Sequence, residues 1–186
     1  DVPWRNYPFL ARHPDNPGPE TPLAMKTNVP PPWNTQAEDF PRDGTLAEKW
    51  EFIVRYASMA PSSHNTQPWQ FRVRHDVLEL HADRSRACPV VDPTDRELVI
   101  SCGCALFHLK TALRHFNALG RIDILPEPNP NLLARIHWGS EGESLPHQRA
   151  LFDAIPLRRT NRQPFHDKSI PPAFIPVLKT AAASES

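Results

Sequence analysis

One stretch of the chain, residues 60–69, carries side chains suited to binding a small polar ring; it reads APSSHNTQPW. Pro61 and Pro68 fix φ and lack a backbone N–H, so the loop is stiff. Its polar side chains offer hydroxyls and amides as hydrogen-bonding groups: Ser62, Ser63, Asn65 and Gln67. Such a loop can bind a planar, amide-rich ring, although an ordinary rigid turn with local Asx and Ser capping has the same composition.

A second candidate is an arginine segment, residues 158–162, which reads RRTNR. Guanidinium groups stay charged and bind phosphate oxygens bidentately. Three arginines and a hydroxyl together suit a phosphate carrying roughly two negative charges. They are Arg158, Arg159, Thr160 and Arg162. Exposed arginines are more often solvated surface, so this segment alone does not establish a site.

Helices and strands must position these two segments. Thr45 and Glu48 form a capping box, and apolar residues recur at helical spacing until Pro61, which predicts a helix over 46–59. Its Trp50 is interpreted as core. Alternation of apolar and polar residues after Trp69 predicts a hairpin that turns near residues 75 and 76.

A longer helix is predicted from a second capping box, Thr94 with Glu97, and one of its faces stays apolar up to Gly120. Its small residues, 101–105, allow close approach of another element or plain core packing. Strands are predicted at 122–125 and 132–138, followed by a helix. This order predicts an α+β fold, with helices packed on a mainly antiparallel sheet.

Composition excludes several classes. Twenty-one basic and 21 acidic residues cancel, so nucleic acid and anionic membranes are not expected partners. No apolar run approaches the roughly 20 residues that span a bilayer, and the N-terminal residues given lack the basic and apolar regions typical of a signal peptide. Three cysteines without metal spacing favour packing in a reduced, cytoplasmic protein; export is the alternative if an upstream signal was removed.

Residues 1–44 contain ten of the 23 prolines and little periodicity, which predicts an extended arm. We expect this arm to be anchored by aromatic side chains: Trp4, Tyr7, Phe9 and Trp33. The chain begins with Asp1 and ends at Ser186 inside a helical pattern, so we expect it to be a fragment of a longer protein.

The loop resembles the Pro-Ser-x-x-Asn-x-Gln-Pro-Trp pattern of the flavin-dependent nitroreductases, and in this form it is most similar to their Acg-like branch, in which two nitroreductase-like halves are fused. Residues 96–106 are also similar to that family. Residues 158–165, RRTNRQPF, resemble its Arg-Arg-Ser-x-Arg phosphate motif. The resemblance extends over about residues 45–180.

The resemblance implies a nitroreductase-like fold in which this chain is the first half of a tandem pseudo-dimer. The implied divisions are an arm at 1–44, a first half at 45–156 and the start of a second half at 157–186. The partner for the first half is then the second half of the same chain or, in a homodimer, another copy. In that family the loop of one half and the arginines of the other share one flavin site.

For activity, the resemblance implies hydride transfer from NAD(P)H through FMN to a nitroaromatic, quinone or similar small-molecule acceptor. Eight residues are then FMN-binding candidates: Ser62, Ser63, Asn65, Gln67, Arg158, Arg159, Thr160 and Arg162. Pro61 and Asn161 are possible backbone neighbours. No catalytic acid–base residue and no metal ligand is predicted, and His64 is interpreted as structural.

Two other functions stay open. One is a non-catalytic protein that binds or sequesters FMN, with the arm or an insertion closing the substrate face. The other is a structural half that binds no cofactor until joined to its partner segment. The sequence lacks a Ser-His-Asp order, a P-loop and a metal-binding helix, so hydrolase functions are not supported.

Overall fold

The computed structural model describes residues 31–140 and 145–183. These residues contain four α-helices: α1 Leu46–Ser58, α2 Arg96–His115, α3 Pro146–Ala154 and α4 Phe174–Ala183. They also contain four strands: β1 Trp69–Arg74, β2 Val77–Ala82, β3 Leu119–Ile124 and β4 Leu132–Trp138. The predicted α+β class is confirmed, and the chain order of the elements is as the sequence predicts.

Helix α1 begins at a capping box formed by Thr45 and Glu48. Thr45 Oγ1 accepts a hydrogen bond from the Glu48 backbone N–H at 3.3 Å, and Glu48 Oε2 accepts one from the Thr45 N–H at 2.8 Å. This reciprocal pair satisfies N–H groups that an open helix end leaves free. Trp50 is fully buried, which confirms its core assignment. The helix stops at Ser58, so the loop that follows it begins at a fixed point.

The four strands form one antiparallel sheet in the order β1-β2-β4-β3. The predicted hairpin is confirmed, with Arg74 paired to Val77 across a turn at His75 and Asp76. Alternate residues point to one face because the side-chain period of a strand is two. That face carries Phe71, Leu78 and Leu80 into a core shared with α1 and α2.

The predicted capping box of α2 is wrong. The helix begins at Arg96 after Asp95, whose φ of 55° is left-handed and whose side chain does not cap the helix. Asp92 Oδ2 instead accepts a hydrogen bond from the Leu98 N–H at 2.9 Å. Glu97 is therefore released from a capping role, and its carboxylate points toward the loop at 60–69, as described below.

The far end of α2 also differs from the prediction. The helix ends at His115, Asn117 adopts a left-handed φ of 54°, and Gly120 lies within β3 rather than after a helix. Strand β3 therefore begins at Leu119, three residues before the predicted start at Ile122. A close contact with the end of β4 explains the use of glycine here.

Gly120 and Gly139 pack backbone against backbone. A Cβ added at Gly139 would lie 2.5 Å from Gly120 Cα and 2.9 Å from Leu119 O, distances at which backbone atoms must move. We therefore expect Gly139→Ala to lower the free energy of unfolding by about 1–3 kcal/mol, as overpacking does. Urea unfolding would measure the change. Ser140→Ala, at the exposed neighbouring position, should change it by less than about 0.5 kcal/mol; equal effects of the two variants would contradict this explanation.

Only part of the predicted arm can be compared with the structure. Trp4, Tyr7 and Phe9 lie outside the described residues, whereas Trp33 is 46% exposed in a short 3-10 turn. The anchor that the sequence reasoning missed is Phe40, whose ring stacks on Phe116 with centroids 4.3 Å apart. This contact ties the end of the arm to the end of α2.

The C-terminal part of the described chain is exposed. All residues from 159 to 183 are exposed, including the apolar side chains of α4: Phe174, Ile175, Val177 and Leu178. The boundary between the first and second nitroreductase-like halves, placed between residues 156 and 157, stays a prediction. Among the described residues, no helix combines the length and apolar character that crossing a membrane requires.

Candidate functional site

The loop at 60–69 has an unusual backbone. His64, Asn65 and Gln67 have φ values of 50°, 58° and 50°, in the left-handed region. For residues with a Cβ this conformation costs roughly 1–2 kcal/mol each. Such a backbone persists only when surrounding contacts hold it, and it is common where a protein presents side chains to a ligand.

The hydroxyls of both candidate serines are used in contacts within the protein, one inside the loop and one to α2. Ser62 Oγ accepts a hydrogen bond from the Gln67 N–H at 2.9 Å. Ser63 Oγ donates to Glu97 Oε2 at 2.5 Å, and Thr66 Oγ1 donates to the Ser63 carbonyl at 2.9 Å. The serine side chains thus shape the loop and bind α2.

Three further side chains hold the loop from outside. Ser101 Oγ accepts a hydrogen bond from the Ser63 N–H at 3.1 Å. Arg86 Nη1 donates to the Thr66 carbonyl at 3.0 Å, and Cys102 Sγ donates to the Pro68 carbonyl at 3.2 Å. The sequence reasoning missed these contacts as site features, because they join residues 20 to 38 positions apart.

The arginine segment reaches back to the end of α1. Arg158 Nη2 donates to the Met59 carbonyl at 3.3 Å, and Arg158 Nη1 donates to Thr160 Oγ1 at 3.4 Å. Arg159 Nη1 donates to the Pro156 carbonyl at 2.7 Å. Arg158 Nε is buried and has no hydrogen-bond partner among the described residues. Two of the five guanidinium N–H groups of Arg158 are thus used within the chain.

The loop and the arginine segment line one cavity of about 430 Å³, here called the site cavity. Five of the eight predicted residues line it: Asn65, Gln67, Arg158, Arg159 and Thr160. The other lining residues come from the arm, from the end of α1 and from the end of α3: Pro32, Trp33, Ser58, Met59, Ala60, Ile155 and Pro156. Ser62, Ser63 and Arg162 do not line it, nor do Pro61, His64 and Asn161.

The site cavity is positive. Two guanidinium groups, from Arg158 and Arg159, are among its lining residues, and none of the described lining residues carries a carboxylate. The lining also includes two amide side chains, from Asn65 and Gln67, and two hydroxyls, from Ser58 and Thr160, which can both donate and accept. This set of groups can bind an anionic ligand that has a polar, planar part.

A second, more apolar cavity of about 650 Å³ lies between α2, β3 and Arg158. Here His108 is 6% exposed, and its Nδ1 lies 3.3 Å from the Tyr56 carbonyl oxygen. Burial lowers the pKa of His108 to about 4, so the ring is neutral at pH 7. Burial also raises the pKa of the Cys104 thiol. Neither group is prepared for acid–base or nucleophilic work at neutral pH.

The cysteines behave largely as small packing residues. Cys102 is fully buried in the core, Cys104 packs against it, and no two of the three cysteines are joined. In residues 31–140 and 145–183, no group of three His, Cys, Asp or Glu side chains is arranged to hold a metal ion.

Comparison with known proteins identifies relatives. The "Putative NAD(P)H nitroreductase Rv3131" of Mycobacterium tuberculosis strain H37Rv is 36% identical over 141 residues, 74% of this chain and 40% of that protein. The "Putative NAD(P)H nitroreductase acg" of the same strain is 34% identical over 113 residues, 60% and 34% of the two chains. The "Probable NAD(P)H nitroreductase PigM" of a Serratia species is 36% identical over 75 residues, 38% and 20% of the two chains.

No family model matches the chain. The chain spans about 40% of the length of the first of these relatives. Eight curated proteins match with significance, and the alignment to Rv3131 extends over 141 residues. With this identity to several proteins named nitroreductases, and with its α+β fold, the chain belongs to the nitroreductase family, as its resemblance to the Acg-like branch predicts.

Proposed function

We propose that this chain is part of an FMN-dependent oxidoreductase of the nitroreductase type, and that its site cavity binds the FMN. The observation that carries the proposal is the single cavity lined both by Asn65 and Gln67 of the loop and by Arg158, Arg159 and Thr160. Two segments almost 100 residues apart in sequence share it. Family membership supports the same assignment.

The arginine segment fits a flavin phosphate. Two guanidinium groups balance the roughly two negative charges of a phosphate monoester at neutral pH. Arg158 Nε is a buried N–H without a partner among the described residues, and Thr160 adds a hydroxyl. Hydrogen bonds between charged groups contribute about 1.5–3 kcal/mol each. Arg162 is exposed and does not line the site cavity, so its part in phosphate binding stays a prediction.

The loop fits the ring of the cofactor. The amides of Asn65 and Gln67 each provide two N–H donors and a carbonyl acceptor, which suits the alternating acceptors and donors of a pyrimidine-like edge. The cavity volume of about 430 Å³ lies within the range of roughly 300–1,000 Å³ common for small-molecule sites. In this proposal Ser62 and Ser63 act on the ring only indirectly, through the shape of the loop.

Bound FMN would supply the redox chemistry, hydride transfer from NAD(P)H to a nitroaromatic, quinone or similar acceptor. The residues of this chain would bind, orient and surround the cofactor with fixed hydrogen-bond donors, which is a protein's usual contribution to cofactor catalysis. An ionised acid–base pair is not required. The neutral ring of His108, which lines the second cavity, is consistent with chemistry that uses no such pair.

The proposal includes a pseudo-dimer. Helix α2 exposes Val99 (43%) and Ile100 (52%) beside the apolar cavity, and α4 exposes a second apolar surface. A second nitroreductase-like half, from the same chain or from another copy, would cover these surfaces by the hydrophobic effect. The native mass of the full-length protein, measured by light scattering, distinguishes the two arrangements.

A specific observation favours the second candidate, an FMN-binding protein without turnover. Pro32 and Trp33 of the arm line the site cavity together with the loop and the arginine segment. An aromatic ring at this point can cover one side of a bound planar ligand and restrict the approach of a co-substrate. This candidate uses the same phosphate and ring contacts. It differs from the oxidoreductase only in whether a co-substrate can reach the bound flavin.

Anaerobic reduction separates the candidates. FMN is added to the purified full-length protein, unbound FMN is removed, and NADPH or NADH is then added without oxygen. The oxidoreductase is expected to bind FMN and to lose its visible absorbance band on reduction. A bound flavin that stays oxidised, while dithionite still reduces it, would favour the binding protein. No uptake of FMN would overturn both candidates.

A further inference from the structure

A buried serine of α2, Ser101, connects the core to the strained loop. Ser101 is 3% exposed, and its Oγ accepts a hydrogen bond from the Ser63 N–H at 3.1 Å. The same hydroxyl donates to the Glu97 carbonyl at 2.8 Å, one helical turn earlier. The hydroxyl thus has a donor and an acceptor role, and both are used.

Glu97 acts on the same loop residue. Its Oε2 accepts a hydrogen bond from Ser63 Oγ at 2.5 Å, so the backbone and the side chain of Ser63 are both held by α2. Residues four apart on a helix lie on one face, which is why Glu97 and Ser101 reach the same point. Ser63 directly precedes His64 and Asn65, the first two residues with left-handed φ.

We propose that Ser101 is a positioning residue for cofactor binding: it fixes the Ser63 backbone, and the left-handed turn that follows then presents Asn65 and Gln67 to the site cavity. The inference rests on the proposed function, because it assigns Ser101 to the ring end of the FMN site. Ser101 itself does not line the site cavity. Its effect passes through the loop.

Removal of the hydroxyl would free the strained turn. Without Ser101 Oγ, the Ser63 N–H loses its hydrogen bond to α2, and the left-handed residues lose one of the contacts that hold them. Alanine has the highest helix propensity, so Ser101→Ala should leave α2 itself intact. The effect should therefore be confined to the loop and to what it binds.

Helix α2 offers a matched control in Thr111. Its side chain is as buried as that of Ser101, at 5% exposure, and Thr111 Oγ1 donates to the Phe107 carbonyl at 2.9 Å in the same bond to the preceding turn. It lies ten residues further along, roughly 15 Å by helical rise. Thr111→Ala therefore removes a comparable hydroxyl at a distance from the loop.

The test measures FMN affinity and amide hydrogen exchange in the full-length protein, its Ser101→Ala variant and its Thr111→Ala variant. Ser101→Ala is expected to raise the Kd for FMN by about tenfold, the equivalent of roughly 1.4 kcal/mol. It should also speed exchange of the Ser63 amide in the protein without flavin. Thr111→Ala should leave both quantities within about twofold of the unsubstituted protein.

Equal effects of the two substitutions on FMN affinity would overturn the inference, because a general loss of packing would then explain both. An unchanged Kd in Ser101→Ala would overturn it as well. If the unsubstituted protein binds no FMN, the proposed function fails, and the Ser63 exchange rate still decides whether Ser101 holds the loop. Unchanged Ser63 exchange would reject that contact.

Discussion

Replacing Arg158 and Arg159 together by alanine is expected to raise the Kd for FMN by about 100-fold or more. Each charge-assisted hydrogen bond to a phosphate contributes about 1.5–3 kcal/mol, and every 1.4 kcal/mol changes affinity tenfold. The loss of one such bond from each arginine therefore weakens binding by about 10²–10⁴. Titration of the flavin-free protein, followed by flavin fluorescence, measures the change.

The fold should tolerate this double substitution. Arg159 is exposed, and both side chains donate chiefly to backbone carbonyls, those of Met59 and Pro156 among them. A control with the same loss of charge, Arg96→Ala with Arg121→Ala, removes two exposed arginines that do not line the site cavity. The control should bind FMN within about threefold of the unsubstituted protein at physiological salt. Full FMN content in the Arg158/Arg159 variant would reject the phosphate assignment.

The parts of the fold that were predictable from the sequence depend on neighbours in sequence. The capping box of Thr45 and Glu48, the alternation in 69–82 and the two-residue turn each involve residues a few positions apart. Strand β4 was predicted at its observed bounds for the same reason. Local chemistry determines these elements, so local patterns reveal them.

The predictions fail where residues outside the local pattern determine how a helix begins or ends. Thr94 and Glu97 have the spacing of a capping box, but Asp92 caps α2 and Ser63 binds the carboxylate of Glu97. Gly120 resembles a helix stop, yet it is required for the backbone contact with Gly139. Asp92 lies only six residues before Leu98, but Ser63 and Glu97 are 34 residues apart, and no short window of sequence contains both of them or both glycines.

The candidate site shows the same division. Residue types and spacing predict two binding segments, and the structure brings five of the eight candidate residues to one cavity. That these residues bind a cofactor stays a prediction. The roles of Ser62 and Ser63 were not predictable, because the partners of a hydroxyl depend on the φ angles of the loop around it. The contact of Ser101 with the loop was likewise not predictable, because it depends on how α2 packs against that loop.

A buried carboxylate on the sheet leads to the second major prediction. Alternation in β2 places Glu79 on the polar face, yet Glu79 is 3% exposed. Its Oε2 lies 3.0 Å from His81 Nε2 and 3.1 Å from Arg74 Nε, and its Oε1 lies 3.0 Å from Arg135 Nε. These contacts connect three strands, and they satisfy a charge that would otherwise be very unfavourable to bury.

The hydrogen bond with His81, supported by that from Arg135, lowers the pKa of Glu79 from 4.5 to about 2 despite the opposing effect of burial. As the pH falls from about 4.5 to about 2, the unfolded chain takes up this proton before the folded chain does. The stability contributed by the ionised Glu79 is therefore complete above pH 4.5 and is lost across this interval. The contribution is about 3 kcal/mol, from about 1.4 kcal/mol for each pKa unit.

Glu79→Gln should therefore be less stable than the unsubstituted protein by about 3 kcal/mol at neutral pH, and the difference should shrink toward pH 2. Urea unfolding at several pH values across this interval gives both curves. Glu51→Gln is the control, since its ion pair with Arg55 is long, at 3.7 Å, and such surface pairs contribute only about 0.3–0.5 kcal/mol. Parallel curves for Glu79→Gln and the unsubstituted protein would mean that Glu79 has an ordinary pKa in the folded state. The cluster would then owe its place in the sheet to packing of the arginine stems, because charge pairing would contribute no pH-dependent stability.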